Sequence, residues 1–521
     1  MLREARRLCV PVWRALPRAR RAGRRRGHSL RCSGAMRPSA VEPLQAVAPF
    51  EGMRAPHAGA AAVGDAMKVD ASSHEPPRAA RSSAIRLKAA PWAACLLLGS
   101  CGTGAAEIGW RTPLEVVRGA GERGAWRQNE SRYDFVDDPT VAWSPRGELA
   151  VAWVDQRRKD VLLQRYSADG HALLATPVDV SRQPGTFSWL PRLAWAPDDP
   201  GRLHVLWQEI VFSGGSHGGE IFSAVSRDGG RSFAPPVNLS RSREGDGKGR
   251  LDRDTWHNGS LDLVVAPGGQ VVAAWTEYDG RLWIARSEDA GRSFSRPLQV
   301  AGDPPALPAR APALAVGADR AVVLAWATGE EPAGDIHVAL SRDGGKSFGA
   351  PRPAAVTAGY SDAPKLAFDA RGALHLVHAE SRGGPFKPSS IRHLRSTDVG
   401  RSFGPANEIS DPLPAGYAGA GFPALGVDAR GRVLVMWELF RGSAMRSPYG
   451  LGMAVSDDGM RFGDPVVIPG SADPGGGING STQGLLMSKM SVRGDGDIAV
   501  VNSAVKIGSH SRVWLLRGAL R

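Results

Sequence analysis

A short string recurs along this chain at nearly constant intervals: Ser226-Arg-Asp228-Gly-Gly230-Arg-Ser-Phe233, then Ser287 to Phe294, Ser341 to Phe348, Ser396 to Phe403 and a contracted Ser456 to Phe462. A fainter copy, Ser167-Ala-Asp169-Gly170, lies upstream, so the copies begin at 167, 226, 287, 341, 396 and 456. Separations of 59, 61, 54, 55 and 60 residues require one structural unit repeated around a ring or along an array, each unit burying its apolar face against the next.

The residues of the string are those of a β-hairpin turn. Ser and Asp side chains fold back onto nearby backbone N–H groups, and Gly230, Gly291, Gly345 and Gly400 accept positive φ without a Cβ clash. The Phe that ends each copy is placed to close over the turn. Around each copy the same pattern returns: an apolar segment, a Gly turn, a denser apolar strand ending in Trp or His, then a third strand running into the Ser. The first two members read Pro139 to Trp143 with Glu148 to Trp153, Pro191 to Trp195 with Arg202 to Trp207, and Leu261 to Val265 with Gln270 to Trp275. They continue as Pro312 to Val316 with Ala321 to Trp326, Pro364 to Phe368 with Ala373 to His378, and Pro423 to Val427 with Arg432 to Trp437. Alternation and β-branched content predict strands throughout. A seventh set, Leu485 to Val492, Asp497 to Ser503 and Arg512 to Leu516, stops short of a fourth strand. An orphan strand, Thr112 to Arg118, precedes the first set, and pairing it into the last unit would close the ring and remove an exposed edge.

The string resembles the Asp-box, S-x-D-x-G-x-[ST]-[WF], of the BNR-repeat or sialidase-like β-propellers, with Phe where that family more often has Trp. The resemblance covers the chain from about Asp138 to Arg517. It implies an all-β propeller of four-stranded blades, with seven favoured by the strand sets and six as the alternative. It also implies that the box carboxylates Asp228, Asp289, Asp343, Asp398 and Asp458 are structural and lie on the face away from the ligand site. The expected organisation is a basic low-complexity segment over 1–66, an export signal over 67–101 and the propeller over 102–521.

The formal charge of +13 suggests a nucleic-acid partner until it is located. The first hundred residues carry 18 Lys+Arg against 6 Asp+Glu, and the remainder carries 47 against 46. The propeller is therefore nearly neutral, which removes the electrostatic support for nucleic-acid binding. From Met67 the sequence reads as an export signal: Arg78, Arg81, Arg86 and Lys88 precede the short apolar run Ala89 to Gly99. Leu98-Gly-Ser-Cys101 resembles a bacterial lipobox, which implies lipidation of Cys101 and an extracytoplasmic, membrane-anchored protein, with ordinary secretion as the alternative. All four cysteines, Cys9, Cys32, Cys95 and Cys101, lie at or before that site, so no disulfide or thiolate metal site is expected in the propeller. Asp495-Gly-Asp497 and Gly245-Asp-Gly247 offer too few ligands for Ca²⁺ and read as turns. No metal and no cofactor are expected, and a monomer is.

In a four-stranded blade the loops after strand two and before strand one open on the face opposite the boxes. That geometry selects Asp155, Arg157, Glu209, Glu277, Tyr278, Glu380, Glu438 and Arg441 from the first kind of loop, and His257 and Asp362 from the second. The recurrence of Trp153-Val-Asp155, Trp207-Gln-Glu209 and Trp275-Thr-Glu277, with His378-Ala-Glu380 as a variant, brings carboxylates to several blades near a central mouth. Carboxylates accept from sugar hydroxyls and aromatic rings stack on sugar faces, so a glycan or another polar ligand is the expected partner. The same position also admits a bland role, hydrogen-bonding local donors.

Catalytic sialidases, by the same resemblance, carry an early Arg-Ile-Pro motif, three substrate-gripping arginines, an Asp acid/base and a Tyr nucleophile activated by Glu. Here the first blade reads Val136-Asp137-Asp138-Pro139, with Asp137 where that motif has Arg, and Arg310-Ala-Pro312 sits mid-chain. Glu277 and Tyr278 are adjacent and point to opposite faces of a strand. Another glycosidase chemistry needs only two carboxylates at a suitable separation, for which Asp155, Glu209 and Glu277 are the candidates, with Tyr278 as a further catalytic group. A non-catalytic glycan-binding propeller and a glycoside hydrolase both remain open.

Overall fold

The second strands of the blades are buried over most of their length, because each lies in the middle of its sheet with a neighbouring blade on either face. Leu149–Asp155, Val322–Thr328 and Val433–Phe440 accordingly read as apolar runs, not as alternations. The computed structural model describes residues 107–521 apart from 125–128, 184, 211–218, 242–259, 278–279, 303–306, 330–333, 385–386, 388, 443–447 and 480–486. Every regular element among the described residues is a β-strand. Cys101, His257 and Tyr278, and the expected segments 1–66 and 67–101, lie outside the described residues.

Six blades are four-stranded antiparallel meanders. Their first strands are Val136–Trp143, Ser188–Ala196, Leu261–Val265, Ala309–Val316, Tyr360–Phe368 and Gly419–Val427 for blades 1 to 6. Blade 7 contains Met490–Val492, Asp497–Lys506 and His510–Leu520, and its outer edge is completed from the other end of the chain. Leu114–Gly119 pairs with His510–Leu520 through Leu114↔Leu515 and Arg118↔Arg512, and Ile108–Trp110 extends the same edge. Each first strand contacts the first strands of the blades on both sides, including blade 7 against blade 1. The fold is a closed seven-bladed β-propeller, with the N-terminal strand sealing the ring.

Large side chains wedge the blades together. Trp207 packs among Val154 and Val161 of blade 1, Trp275 among Leu206 and Ile221 of blade 2, Trp326 among Val272 and Leu282 of blade 3, and Trp437 among Val377 and Ile391 of blade 5. Trp153 does the same against Val501 and Val513 of blade 7. In each case the tryptophan at the end of strand two fills the space toward the preceding blade. Burying such a ring removes 150–250 Å² or so from water and dominates the contact.

The boxes join strands three and four. Ser341 Oγ donates to Asp343 Oδ1 (2.7 Å) and accepts from Gly345 N (2.7 Å), while Asp343 also accepts from Ser347 N (3.0 Å) and Ser347 Oγ (2.6 Å). The boxes at Ser226, Ser287 and Ser396 repeat this clasp. The contracted box keeps Ser456 Oγ on Asp458 and turns two backbone N–H groups, of Met460 and Arg461, onto the carboxylate. Asp228, Asp343 and Asp458 are exposed, whereas all five serines are buried. The hydroxyl is thus the buried member of the clasp. Each turn also closes on the preceding blade: a Cβ on Gly291 (φ 81°) would stand 2.8 Å from the His204 ring of blade 2.

The fainter copy at Ser167 forms no clasp. His171 N reaches Ser167 Oγ (3.1 Å), but the Asp169 carboxylate, 74% exposed, takes Arg111 from the N-terminal segment instead. Blade 1 closes with an ordinary hairpin, because the string there lacks the Phe that completes the other turns.

Candidate functional site

Five blades begin with the same irregularity. Asp138, Leu190, Ala311, Ala363 and Phe422 have φ between 47° and 55°, each directly precedes a proline, and each sits at a break in register between strands one and two. A non-glycine residue at positive φ costs on the order of 1–3 kcal/mol, and bulges of this kind re-aim side chains at the rims of closed sheets. Beyond the bulge the register resumes, so the residue after the proline is structurally equivalent from blade to blade. In blades 1 to 6 the residue at this level is Thr140, Arg192, Asp262, Ala313, Lys365 and Ala424, opposite Ala152, Leu206, Ala274, Ala325, Val377 and Met436, with Asp262 reaching it on a strand that has no bulge; in blade 7 it is Lys489, whose carbonyl accepts Val501 N (2.9 Å).

Four of these seven positions are charged; Lys489 is taken up by Glu438, and the ring brings the other three together. Arg192, 3% exposed, donates to Met487 Sδ (2.7 Å) ahead of blade 7; burial lowers its pKa, and Asp262 and Asp138 act against that shift. Lys365 comes from blade 5, across the ring from blade 2, and is half-buried. Burial pushes its ammonium down to about 8, with Arg192 acting in the same direction and Asp262 against it. Asp262 Oδ2 also accepts Leu314 N of blade 4 (2.8 Å), so the carboxylate is fixed to the inner strand beside it. The centre of the propeller therefore holds two cations and two carboxylates on inner strands of blades 1, 2, 3 and 5.

At the edge of this channel lies a third carboxyl. Asp137 is 1% exposed; Gln156 Nε2 donates to its Oδ1 (3.0 Å), and its Oδ2 has no hydrogen-bond partner among the described residues. Burial holds its pKa well above the usual carboxylate range, and Asp138 and Asp155 push in the same direction.

The residues expected at the mouth divide into three groups. Glu209 and Glu438 are buried and taken up internally. Glu209 accepts Ser188 Oγ (2.6 Å), Trp207 Nε1 (2.9 Å) and the Thr186 hydroxyl, and burial still raises its pKa. Glu438 accepts Lys489 Nζ (2.6 Å), and the 2%-exposed ammonium also reaches Asn502 Oδ1 (3.2 Å), tying blade 6 to blade 7. Asp155 and Glu380 are half-engaged: Asp155 caps the turn to Arg157 N and Arg158 N (both 3.1 Å), and Glu380 pairs with Arg392 Nε (2.8 Å). Arg157 and Arg441 are exposed at the rim. Arg157 stands 3.8 Å from Asp134, and the Arg441 guanidinium lies 3.6 Å over the Tyr449 ring, with Tyr417 at 5.8 Å. Glu277, half-buried, is held by its backbone to Arg281 (2.8 Å).

Asp362 belongs to a further group that the sequence pattern did not join. Its Oδ1 stands 3.9 Å from Arg310 Nε, and the 4%-exposed Arg310 guanidinium stacks 4.9 Å over the Tyr360 ring. The signal for both this group and the central one was the proline-led bulge, which fixes the phase of each inner strand that carries it.

No family model matches this chain, and no curated protein matches it. Among solved structures, an ulvan lyase, a polysaccharide lyase bound to -[GlcA(1-4)Rha3S]-, is similar at 12% identity with a TM-score of 0.46, covering 76% of this chain and 94% of its own. A Penicillium chrysogenum α-L-arabinanase complexed with arabinobiose gives 13%, 0.42, 68% and 99%, and the Hadza microbial sialidase Hz136 gives 15%, 0.39, 70% and 73%. At such identities and scores these likenesses carry no weight for the chemistry of the site, which rests on its own residues.

Proposed function

We propose that this protein is an exported, lipid-anchored propeller that binds a glycan or another hydroxyl-rich polar ligand at the end of the central channel opposite the boxes. The observation that carries the reading is the meeting of Arg192, Asp262 and Lys365 on inner strands that the ring holds rigid. Charges of both signs in near balance suit a ligand that both donates and accepts hydrogen bonds, and strand-borne groups lose little freedom on binding. The rim adds ring surfaces, with Tyr417 and Tyr449 beside Arg441 and Tyr360 beside Arg310. The anchor belongs to Cys101 and the apolar run before it.

The test is retention of the purified protein on a glycan panel, compared with its Lys365→Met variant. Lys365 is half-buried, so the variant is expected to fold and to lose retention. Equal retention by both proteins would overturn the assignment of the channel.

A second reading, glycoside hydrolysis, is favoured by Asp137, a carboxyl whose pKa is raised by burial and by neighbouring acids, the direction that suits a general acid. Chromogenic glycosides separate the two: turnover that Asp137→Asn removes supports hydrolysis, and retention without turnover supports binding alone.

A further inference from the structure

On the box face, between blades 1 and 2, lies a cavity of about 240 Å³ that the mouth does not share. Its charged lining is Arg146, Glu148, Arg165, Arg227, Asp228 and Arg231. Arg146 comes from the first hairpin of blade 1, Arg165 from its third strand, and the other two arginines from the box of blade 2. Arg146, Arg227 and Arg231 are exposed, whereas the Arg165 side chain is 3% exposed.

Arg165 is the informative member. Its Nη2 donates to Glu148, while Nε and Nη1 have no hydrogen-bond partner among the described residues. A buried donor left unmade costs about 1–3 kcal/mol, and more when the group is charged. The box carboxylate does not relieve it, since Asp228 is already engaged by Ser226, Ser232 and the Arg231 backbone N–H. Four guanidinium groups against two carboxylates leave two positive charges in surplus. Guanidinium forks match the oxygens of phosphoryl and sulfuryl groups, and a partly buried cation holds them far better than a solvated one.

We infer that this cavity binds a tetrahedral dianion, a phosphate or sulfate group, with Arg165 as the buried anchor and Arg146, Arg227 and Arg231 closing around it. The site is independent of the channel and of any glycan bound there. The dianion reaches it either as the free ion or as the phosphomonoester headgroup of phosphatidic acid.

The full-length protein is titrated with inorganic phosphate and with sulfate, following its melting temperature against sodium chloride at matched ionic strength. The expected result is a saturable rise that chloride does not reproduce, since a ligand that binds only the folded state stabilises it by mass action. Arg146→Glu and Arg227→Glu, both at exposed positions, are each expected to weaken phosphate binding at least about tenfold, the loss of one charge-assisted contact. Arg165→Met is expected to abolish it. Absence of any rise beyond chloride, or an unchanged rise in the Arg146→Glu/Arg227→Glu double variant, overturns the proposal even if Arg165→Met fails to fold. Co-sedimentation with vesicles containing phosphatidic acid, lost in the double variant, assigns the lipid headgroup. A phosphate response without co-sedimentation assigns the free ion.

Discussion

Removing the serine of a box should loosen its turn more than removing the aspartate that gives the motif its name. In the box of blade 4, Ser341 is 1% exposed and its Oγ is the acceptor for the buried Gly345 N–H at 2.7 Å. Ser341→Ala strands that N–H where water does not reach, at a cost of about 2 kcal/mol. Asp343 accepts three hydrogen bonds, but it is exposed and so is Ser347, and water replaces what Asp343→Ala removes. Charge assistance leaves a net loss of about 1 kcal/mol. In a chain of this size one such turn moves the global melting temperature by only about 2 °C per kcal/mol or less. The sensitive assay is therefore native-state hydrogen exchange at the Gly345 amide, where about 2 kcal/mol appears as a roughly 30-fold loss of protection. A larger loss in Asp343→Ala than in Ser341→Ala would refute the reasoning, placing the strength of the turn in the carboxylate.

Acid should destabilise the ring well before its carboxylates titrate. Burial pushes His204 and His378 down to about 4 and His393 to about 3, so their stabilising contribution is complete above the unfolded value of about 6.5 and is lost as pH falls from there toward 4. Melting temperatures at pH 7.5 and 5 should differ measurably, and a flat profile between them would exclude neutral buried imidazoles. Lys489→Met leaves the Glu438 carboxylate buried without its cation and should cost about 3–5 kcal/mol by urea denaturation; an unchanged midpoint would mean the pair is solvated. Cys101→Ser should move the protein from the membrane fraction to the soluble one, whereas native protein found soluble in the cytosol with residues 1–100 attached would remove the export reading.

The blades were legible because a repeat reports its own phase: five strings at near-constant spacing locate strands three and four, and the Trp-ended runs locate strand two. The closing strand followed from an incomplete seventh set and a spare strand near Thr112. What stayed hidden was burial at the strand ends. Glu209 occupies the same position as Asp155 and Glu380, and Glu438 stands one residue earlier in its strand, yet both are sealed by Thr186, Ser188 and Lys489, which come from the lead-in to a first strand or from its first residue and carry no repeat. The exposed box aspartates were likewise indistinguishable by pattern from buried ones. Arg192, Asp262 and Lys365 lie about 70 to 170 residues apart in sequence, and only the register of the inner strands, which a bulge resets in blades 2 and 5, shows that they share one level of the channel.

The seam in blade 7 joins Leu114 to Leu515, partners separated by nearly the whole folded chain. The entropy of closing so long a loop grows only as the logarithm of its length, so this seam costs about 2 kcal/mol more than joining strands one repeat apart. Its penalty falls on time instead, since the last sheet has no outer edge until its N-terminal partner has been found across the full contour. Once found, the two ends stay adjacent: Arg521 N donates to Glu107 O at 2.9 Å, and Ile108 lies opposite Leu520. The polypeptide thus enters and leaves the ring through one doorway. A circular permutant cut between any two blades and spliced at that doorway should have the same native state.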